Sequence, residues 1–164
     1  MANKETFTRE EWNVIVSSPM LAGMAVTLAD PSGLWGMMKE GASGVRALLE
    51  VKNDANASEL VKAMASDFET SEGRTVARDA LQARLTGKSP ADLKEQALAG
   101  LVEAGKLVDD KSPSEAGEFK QLLKSVAVQV AEAAKEGGFL GFGGVRVSDA
   151  EKASVDEVVA KLRA

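Results

Sequence analysis

The chain has 164 residues, of which 45% are apolar and 27% charged, and it contains no cysteine, histidine or tyrosine. This composition excludes disulfides, zinc–thiolate sites, thiol catalysis and every mechanism that uses histidine as a base or metal ligand. The formal net charge is −5. The chain contains no run of basic residues, so nucleic-acid binding is not predicted. Since only 4% of residues are aromatic, alanine, leucine and valine must fill the core, which favours helices over sheets.

The length fits one domain, which we assign to residues 1–164. Residues Met1 to Glu11 are polar and charged, so no secretory signal is expected and a cytoplasmic location is predicted. The stretch from Asn13 to Ala29 carries no charge, but polar residues interrupt it, and it is shorter than the ~20 apolar residues that span a bilayer. Two buried helical segments are the favoured interpretation, with membrane contact as the alternative.

The first helix-start signals lie close together near the beginning of the chain. Thr8 and Glu11 have the spacing of a capping box. The serine–proline pair that ends at Pro19 has the pattern of an N-cap followed by the first helical residue. We therefore expect one helix to end near Ser17 and a second to run from Pro19 to about Ala29.

Further start signals recur along the rest of the chain, each followed by apolar residues at helical spacing. Glycines at positions 36, 41 and 44 predict a bend or a break in the helical segment. Those at 87 and 137–138 predict helix ends. We predict an all-α bundle of about seven to eight helices. The later starts are Asn56 with Glu59, Ser71, Ser89 with Pro90, Ser112 with Pro113 and Glu115, and Ser148 with Glu151.

Two similar turns suggest that the bundle has two related halves. Residues 33–36 read GLWG and residues 138–141 read GFLG, and each turn follows a helix that starts near an aromatic residue, Trp12 or Phe119. Our hypothesis is a pseudo-twofold axis between the halves.

The most unusual segment, residues 137–147, contains five glycines interleaved with large apolar residues. A glycine-rich connector whose aromatics fill the core is the favoured interpretation, and the alternatives are an apolar ligand or partner surface and a tip that touches a membrane. Nucleotide binding is disfavoured because a helix, not a strand, precedes the segment. A second apolar cluster follows the turn at residues 30–33 and is interpreted as core or partner surface. The candidate interaction residues are Trp35, Met37, Met38, Phe139, Leu140, Phe142 and Arg146.

The remaining charged clusters predict no site. The carboxylates near Asp67 and Asp109 are interpreted as solvated helix faces and caps. Oxygen ligands are also present at Asn53, Asp54, Asn56 and Glu59, but this segment lacks the glycine that calcium loops need at their bend. No catalytic residue, metal ligand or cofactor is predicted. Arg74, Arg78 and Arg84 are expected to form surface salt bridges with Glu72 and Asp79.

The segment AAKEGGFLGFGGVRVSDAEKASVDEVVAKL, from Ala133 to Leu162, resembles the C-terminal region of small uncharacterised bacterial helical proteins. The core of this likeness runs from Lys135 to Glu151, and it implies a bacterial helical protein without an assigned activity. The layout of the whole chain is also similar to the TerB-like helical fold of tellurite-resistance proteins. That group is associated with acidic metal sites, but no such motif matches here, so no residues are assigned.

These observations favour a non-enzymatic helical protein that acts through protein–protein interaction, with self-association as a homodimer first and an unknown protein partner second. Two alternatives stay open: a peripheral membrane or stress-response component, and an enzyme that uses carboxylates and a metal ion.

Overall fold

The computed structural model describes residues 2–28, 47–136 and 149–163, and all of the regular structure within these ranges is helical. The prediction of an all-α bundle is therefore confirmed. A 3-10 turn at Lys4–Thr6 precedes the helices, which are α1 (Arg9–Thr27), α2 (described part, residues 47–52), α3 (Glu59–Glu69), α4 (Ser71–Leu85), α5 (Pro90–Lys111), α6 (Pro113–Glu136) and α7 (Asp149–Arg163).

Helix α1 lies at the centre of the bundle, where it packs against α5, α6, α4 and α7. Its apolar residues cover most of its circumference, and a helix that is apolar on all sides is buried. Ile15, Val16, Leu21 and Ala25 are fully buried, as is nearly all of Trp12. Alanine, leucine and valine make up most of the surrounding core, as the composition predicts.

Pro19 lies inside α1, so the predicted helix break after Ser17 is wrong. A proline within a helix deprives the carbonyl four residues earlier, here that of Ile15, of its backbone donor. The hydroxyl of Ser18 donates a hydrogen bond to this carbonyl oxygen at 2.6 Å and replaces the lost one. One continuous helix can therefore bury the apolar residues on both sides of the proline.

The predicted helix starts at Thr8 and Ser89 are confirmed. Thr8 and Glu11 form a reciprocal capping box at the start of α1. Ser89 forms the same arrangement with Asp92, and Pro90 is the first residue of α5. Both motifs are satisfied within four consecutive residues, so packing elsewhere in the fold has little influence on them.

Two other starts are displaced along the chain. Helix α3 begins after Ser58 rather than after Asn56, whose backbone N–H donates to Asp54 Oδ1 at 2.8 Å. Helix α4 is capped by Thr70, one residue before the predicted Ser71. In both places several neighbouring polar residues could act as the N-cap, and the sequence pattern alone does not show which of them does.

The hypothesis of two related halves depends on the turns at residues 33–36 and 138–141, which lie outside the described residues. Trp12 and Phe119, the aromatics that mark the two helices, are 2% and 0% exposed. The relation between the halves stays a hypothesis.

Candidate functional site

A cleft of about 500 Å³ opens between α1, α4 and α5. Its size falls within the roughly 300–1,000 Å³ that small-molecule sites occupy. At one end α4 stops at Leu85, and Gly87, at a φ of 76°, reverses the chain towards α5, as the glycine predicts. The lining residues of this cleft are Asn13, Val14, Ser17, Ala80, Ala83, Arg84, Thr86, Lys88 and Gln96.

Both charged residues that line the cleft, Arg84 and Lys88, are cations. Arg84 Nη2 donates to a carboxylate oxygen of Glu103 on α5, which does not itself line the cleft. Hydrogen bonds from Ser89, with a smaller contribution from the charge of Lys88, lower the pKa of the exposed Asp92. The carboxylates near the two cations thus belong to the surroundings of the cleft and not to its lining.

Gly100 lets the Arg84 side chain lie close against α5. A Cβ atom at position 100 would stand 3.1 Å from Arg84 Nε, 3.3 Å from Arg84 Cδ and 2.6 Å from Leu21 Cδ1. Such distances are too short for carbon atoms without displacement of these side chains. Because Gly100 has no side chain, Arg84 can pack directly against α5, and its hydrogen bond to Glu103 keeps the guanidinium beside the cleft.

Two carboxamides complete the polar lining of the cleft. Asn13 on α1 and Gln96 on α5 are both partly buried, and neither side chain forms a hydrogen bond within the described part of the chain. Ser17 differs, because its hydroxyl donates to the carbonyl oxygen of Val14 at 3.0 Å. The cleft therefore presents amide donors and acceptors that the fold itself does not use.

A second, smaller depression of about 360 Å³, the α5–α7 groove, lies between those two helices. Lys94 on α5 joins its walls, since its Nζ lies 2.7 Å from Glu157 Oε2 and 3.1 Å from Ser154 Oγ on α7. Leu98, Ala99 and Val102 supply the apolar lining.

Charges of both signs surround this apolar strip. Lys94 and Glu95 belong to α5, and Glu157 and Lys161 to α7, so the rim holds two cations and two anions. This balance contrasts with the cleft, where the charged lining is cationic. The charges that line the groove are therefore balanced.

Glu115 is the most deeply buried carboxylate whose partners are described, with 7% of the residue exposed. Its Oε2 accepts hydrogen bonds of 2.6 Å from Ser112 Oγ and from the backbone N–H of Ala2, and its Oε1 accepts one of 3.3 Å from the N–H of Leu60. Burial raises the pKa of this carboxyl, but the three hydrogen bonds outweigh burial and lower it. These bonds tie α6 to the start of the chain and to α3, so the group is structural.

The neighbouring Glu118 supports the same junction. Its two carboxylate oxygens accept the backbone N–H of Ser58 at 2.8 and 3.0 Å, at the start of α3. A negative charge at a helix N-terminus is favourable because the backbone donors there lack partners. The acidic cluster interpreted from the sequence as caps and solvated faces thus includes two buried or half-buried caps.

All seven sequence-predicted interaction residues lie outside the described residues. They are Trp35, Met37, Met38, Phe139, Leu140, Phe142 and Arg146.

Sequence reasoning missed both the cleft and the groove. Arg84 was expected to pair on its own helix, with Glu72 or Asp79, but its partner is Glu103 on α5. Arg78 bonds to Thr75 instead of to a carboxylate. A residue pattern along one helix cannot show which neighbouring helix a long side chain reaches. Gly100 was the one signal in the sequence, because a glycine within a helix allows a neighbouring side chain to approach closely.

Two properties of the described residues concern the alternative functions. They contain no group of three or more acidic side chains that could hold a metal ion. None of their helices combines the length and the apolar character needed to cross a bilayer.

No protein-family model, curated protein sequence or solved structure matches this chain.

Proposed function

We propose that the protein acts through non-enzymatic association, first with a second copy of itself, and that the α5–α7 groove is the docking surface. The observation that supports this is the balanced charge of the rim. In a two-fold dimer a surface faces its own copy, so a rim of one sign would repel itself. Lys94 and Glu157 already pair within each copy, so Lys161 and Glu95 are the rim residues that can meet across the interface.

The modest apolar content of the groove sets the expected strength of association. Leu98 is only 6% exposed, while Ala99 is exposed and Val102 is partly so. Among the described residues, Leu49 is the one large hydrophobic side chain on the open surface, at 39% exposure. We expect a reversible dimer of micromolar or weaker affinity, because obligate dimers bury larger and more apolar surfaces.

The test is molar mass measured by light scattering over a series of protein concentrations. We expect the mass to rise with concentration from 17.2 kDa towards twice that value. Ala99→Arg places a long charged side chain in the groove and should hold the mass at the monomer value. Ser66→Arg adds the same side chain at an exposed position on α3 and should leave association unchanged.

Two results would contradict the proposal. A constant mass of 17.2 kDa at every concentration would exclude self-association. Dimerisation of the Ala99→Arg variant with the strength of the original chain would exclude the groove. The cytoplasmic location is part of this proposal, while the membrane or stress-response role and the carboxylate–metal enzyme stay predictions.

A further inference from the structure

We infer that the cleft between α1, α4 and α5 binds a small organic anion, a carboxylate or a phosphate monoester, through Arg84 and Lys88. This inference is independent of self-association, since the cleft and the α5–α7 groove share no lining residue.

The charge of the lining gives the sign of the ligand. The whole chain carries 25 acidic and 20 basic residues, yet the charged residues that line the cleft are both basic. Lys88 forms no ion pair within the described part of the chain. Cationic side chains at the cleft repel a cation and attract an anion, so the lining favours an anionic ligand.

Arg84 retains N–H donors for an oxyanion at the wall of the cleft. A guanidinium presents five N–H donors in a planar fork, which matches the two oxygens of a carboxylate or phosphate. Glu103 takes one N–H of Nη2, so one of the two edges of the guanidinium, formed by Nη2 with either Nε or Nη1, can still face an anion. Gly100 and Glu103 hold the side chain in place, so less conformational entropy is lost when a ligand binds.

The two carboxamides give the cleft further hydrogen-bonding capacity. Asn13 and Gln96 approach it from α1 and α5, and both are partly buried without a partner among the described residues. Partly buried polar groups usually find a partner in protein or solvent, and a ligand with additional oxygens would supply one. Val14, Ala80 and Ala83 leave room for only a short apolar portion.

The test is a nuclear magnetic resonance titration of the isotope-labelled chain with butyrate, butyl phosphate and the neutral butyramide at equal ionic strength. We expect at least one anion to produce saturable shifts in the side-chain signals of Asn13, Gln96 and Arg84 Nε–H. The anion that binds more tightly identifies the ligand class. Butyramide should produce no such shifts.

Matched variants separate a built site from general attraction of anions. Arg84→Met and Lys88→Met should each weaken binding of the preferred anion by about tenfold. Arg78→Met removes the same charge from α4 outside the cleft and should leave affinity within about twofold. Gln96→Leu keeps the pairing of Arg84 with Glu103 and should still weaken binding of the anion. If Arg84→Met does not fold, Gln96→Leu therefore tests the cleft in its place.

Three results would overturn the inference. They are the absence of saturable shifts with both anions, equal shifts with butyramide, and an equal loss of affinity in Arg78→Met and Arg84→Met.

Discussion

The hydroxyl of Ser18 donates a 2.6 Å hydrogen bond to the carbonyl oxygen of Ile15, and this contact lets α1 continue through Pro19. Both Ser18 and Ile15 are fully buried. The substitution Ser18→Ala would leave the carbonyl without a donor in a place that water does not reach. We expect the free energy of unfolding to fall by about 1–3 kcal/mol, measured by urea denaturation followed by circular dichroism.

Ser17, the residue before Ser18, offers a matched control. Its hydroxyl donates to the carbonyl oxygen of Val14 at 3.0 Å, but that carbonyl also has the backbone N–H of Ser18 within reach. Ser17→Ala should therefore lower the free energy of unfolding by less than Ser18→Ala. In a Pro19→Ala background, where residue 19 regains an N–H, Ser18→Ala should lose most of its effect. An unchanged effect in that background would show that the hydroxyl does not compensate for the proline.

The same serine–proline pair explains why part of the fold could be predicted and part could not. At Ser89 and Pro90 the pair starts a helix, as expected, because the preceding residues are exposed and Asp92 completes the cap. At Ser18 and Pro19 the identical pair lies within a helix. The difference lies in burial on both sides, which depends on α5 and α6 and is not encoded in the dipeptide.

Prediction of the candidate sites from the sequence likewise depends on how the helices pack against one another. Stripes of alanine, leucine and valine predict helices and a core, since each stripe must be buried against another. The cleft brings together Asn13, Arg84 and Gln96, which lie far apart in sequence on three helices. Only the packing angles of those helices bring the three side chains to one place, and a single sequence does not determine those angles.

Gly73 fixes the approach of α4 to the end of α3. A Cβ atom at this position would lie 2.0 Å from the carbonyl oxygen of Asp67 and 2.6 Å from its carbonyl carbon. Because the obstacle is backbone and cannot rotate away, Gly73→Ala should lower the free energy of unfolding by about 1–3 kcal/mol in thermal or urea denaturation.

Gly117 on α6 is the control for this substitution. It is exposed, and a Cβ atom there would have no neighbour within 4 Å. Alanine restricts the unfolded chain more than glycine does, so Gly117→Ala should raise the free energy of unfolding by about 0.5–1 kcal/mol. Changes of the same sign in the two variants would contradict the packing that we describe at Gly73.

Trp12 is anchored in the core by its indole N–H, which donates to Asp67 Oδ2 at 2.7 Å. The same carboxylate accepts from Lys4 Nζ at 3.1 Å, but the side chain of Lys4 is 64% exposed. We expect Asp67→Ala to lower the free energy of unfolding by about 1–3 kcal/mol because it leaves a buried donor without an acceptor. Lys4→Ala should lower it by less than about 1 kcal/mol, as is usual for exposed ion pairs. If both variants lost the same free energy of unfolding, Asp67 would stabilise the fold through its ion pair with Lys4 and not through the indole of Trp12.

The pKa of Glu115 gives the fold a specific dependence on pH. Burial raises this pKa, but hydrogen bonds from Ser112, Ala2 and Leu60 outweigh burial and bring it below the ordinary value of 4.5. A carboxyl whose pKa is lower in the folded state contributes its full stabilisation above the unfolded pKa. That contribution disappears as the pH falls through the folded pKa.

Glu115→Gln should therefore destabilise the protein at neutral pH by about 1–3 kcal/mol and lose most of this effect in acid. The measurement is the free energy of unfolding in urea from neutral pH to below 4.5, taken as the difference between the original chain and the variant. Glu132→Gln changes an exposed carboxylate on the same helix and should show a small difference at every pH. A constant difference for Glu115→Gln across the range would mean that the loss comes from altered packing, because only the ionised carboxylate can bring a dependence on pH.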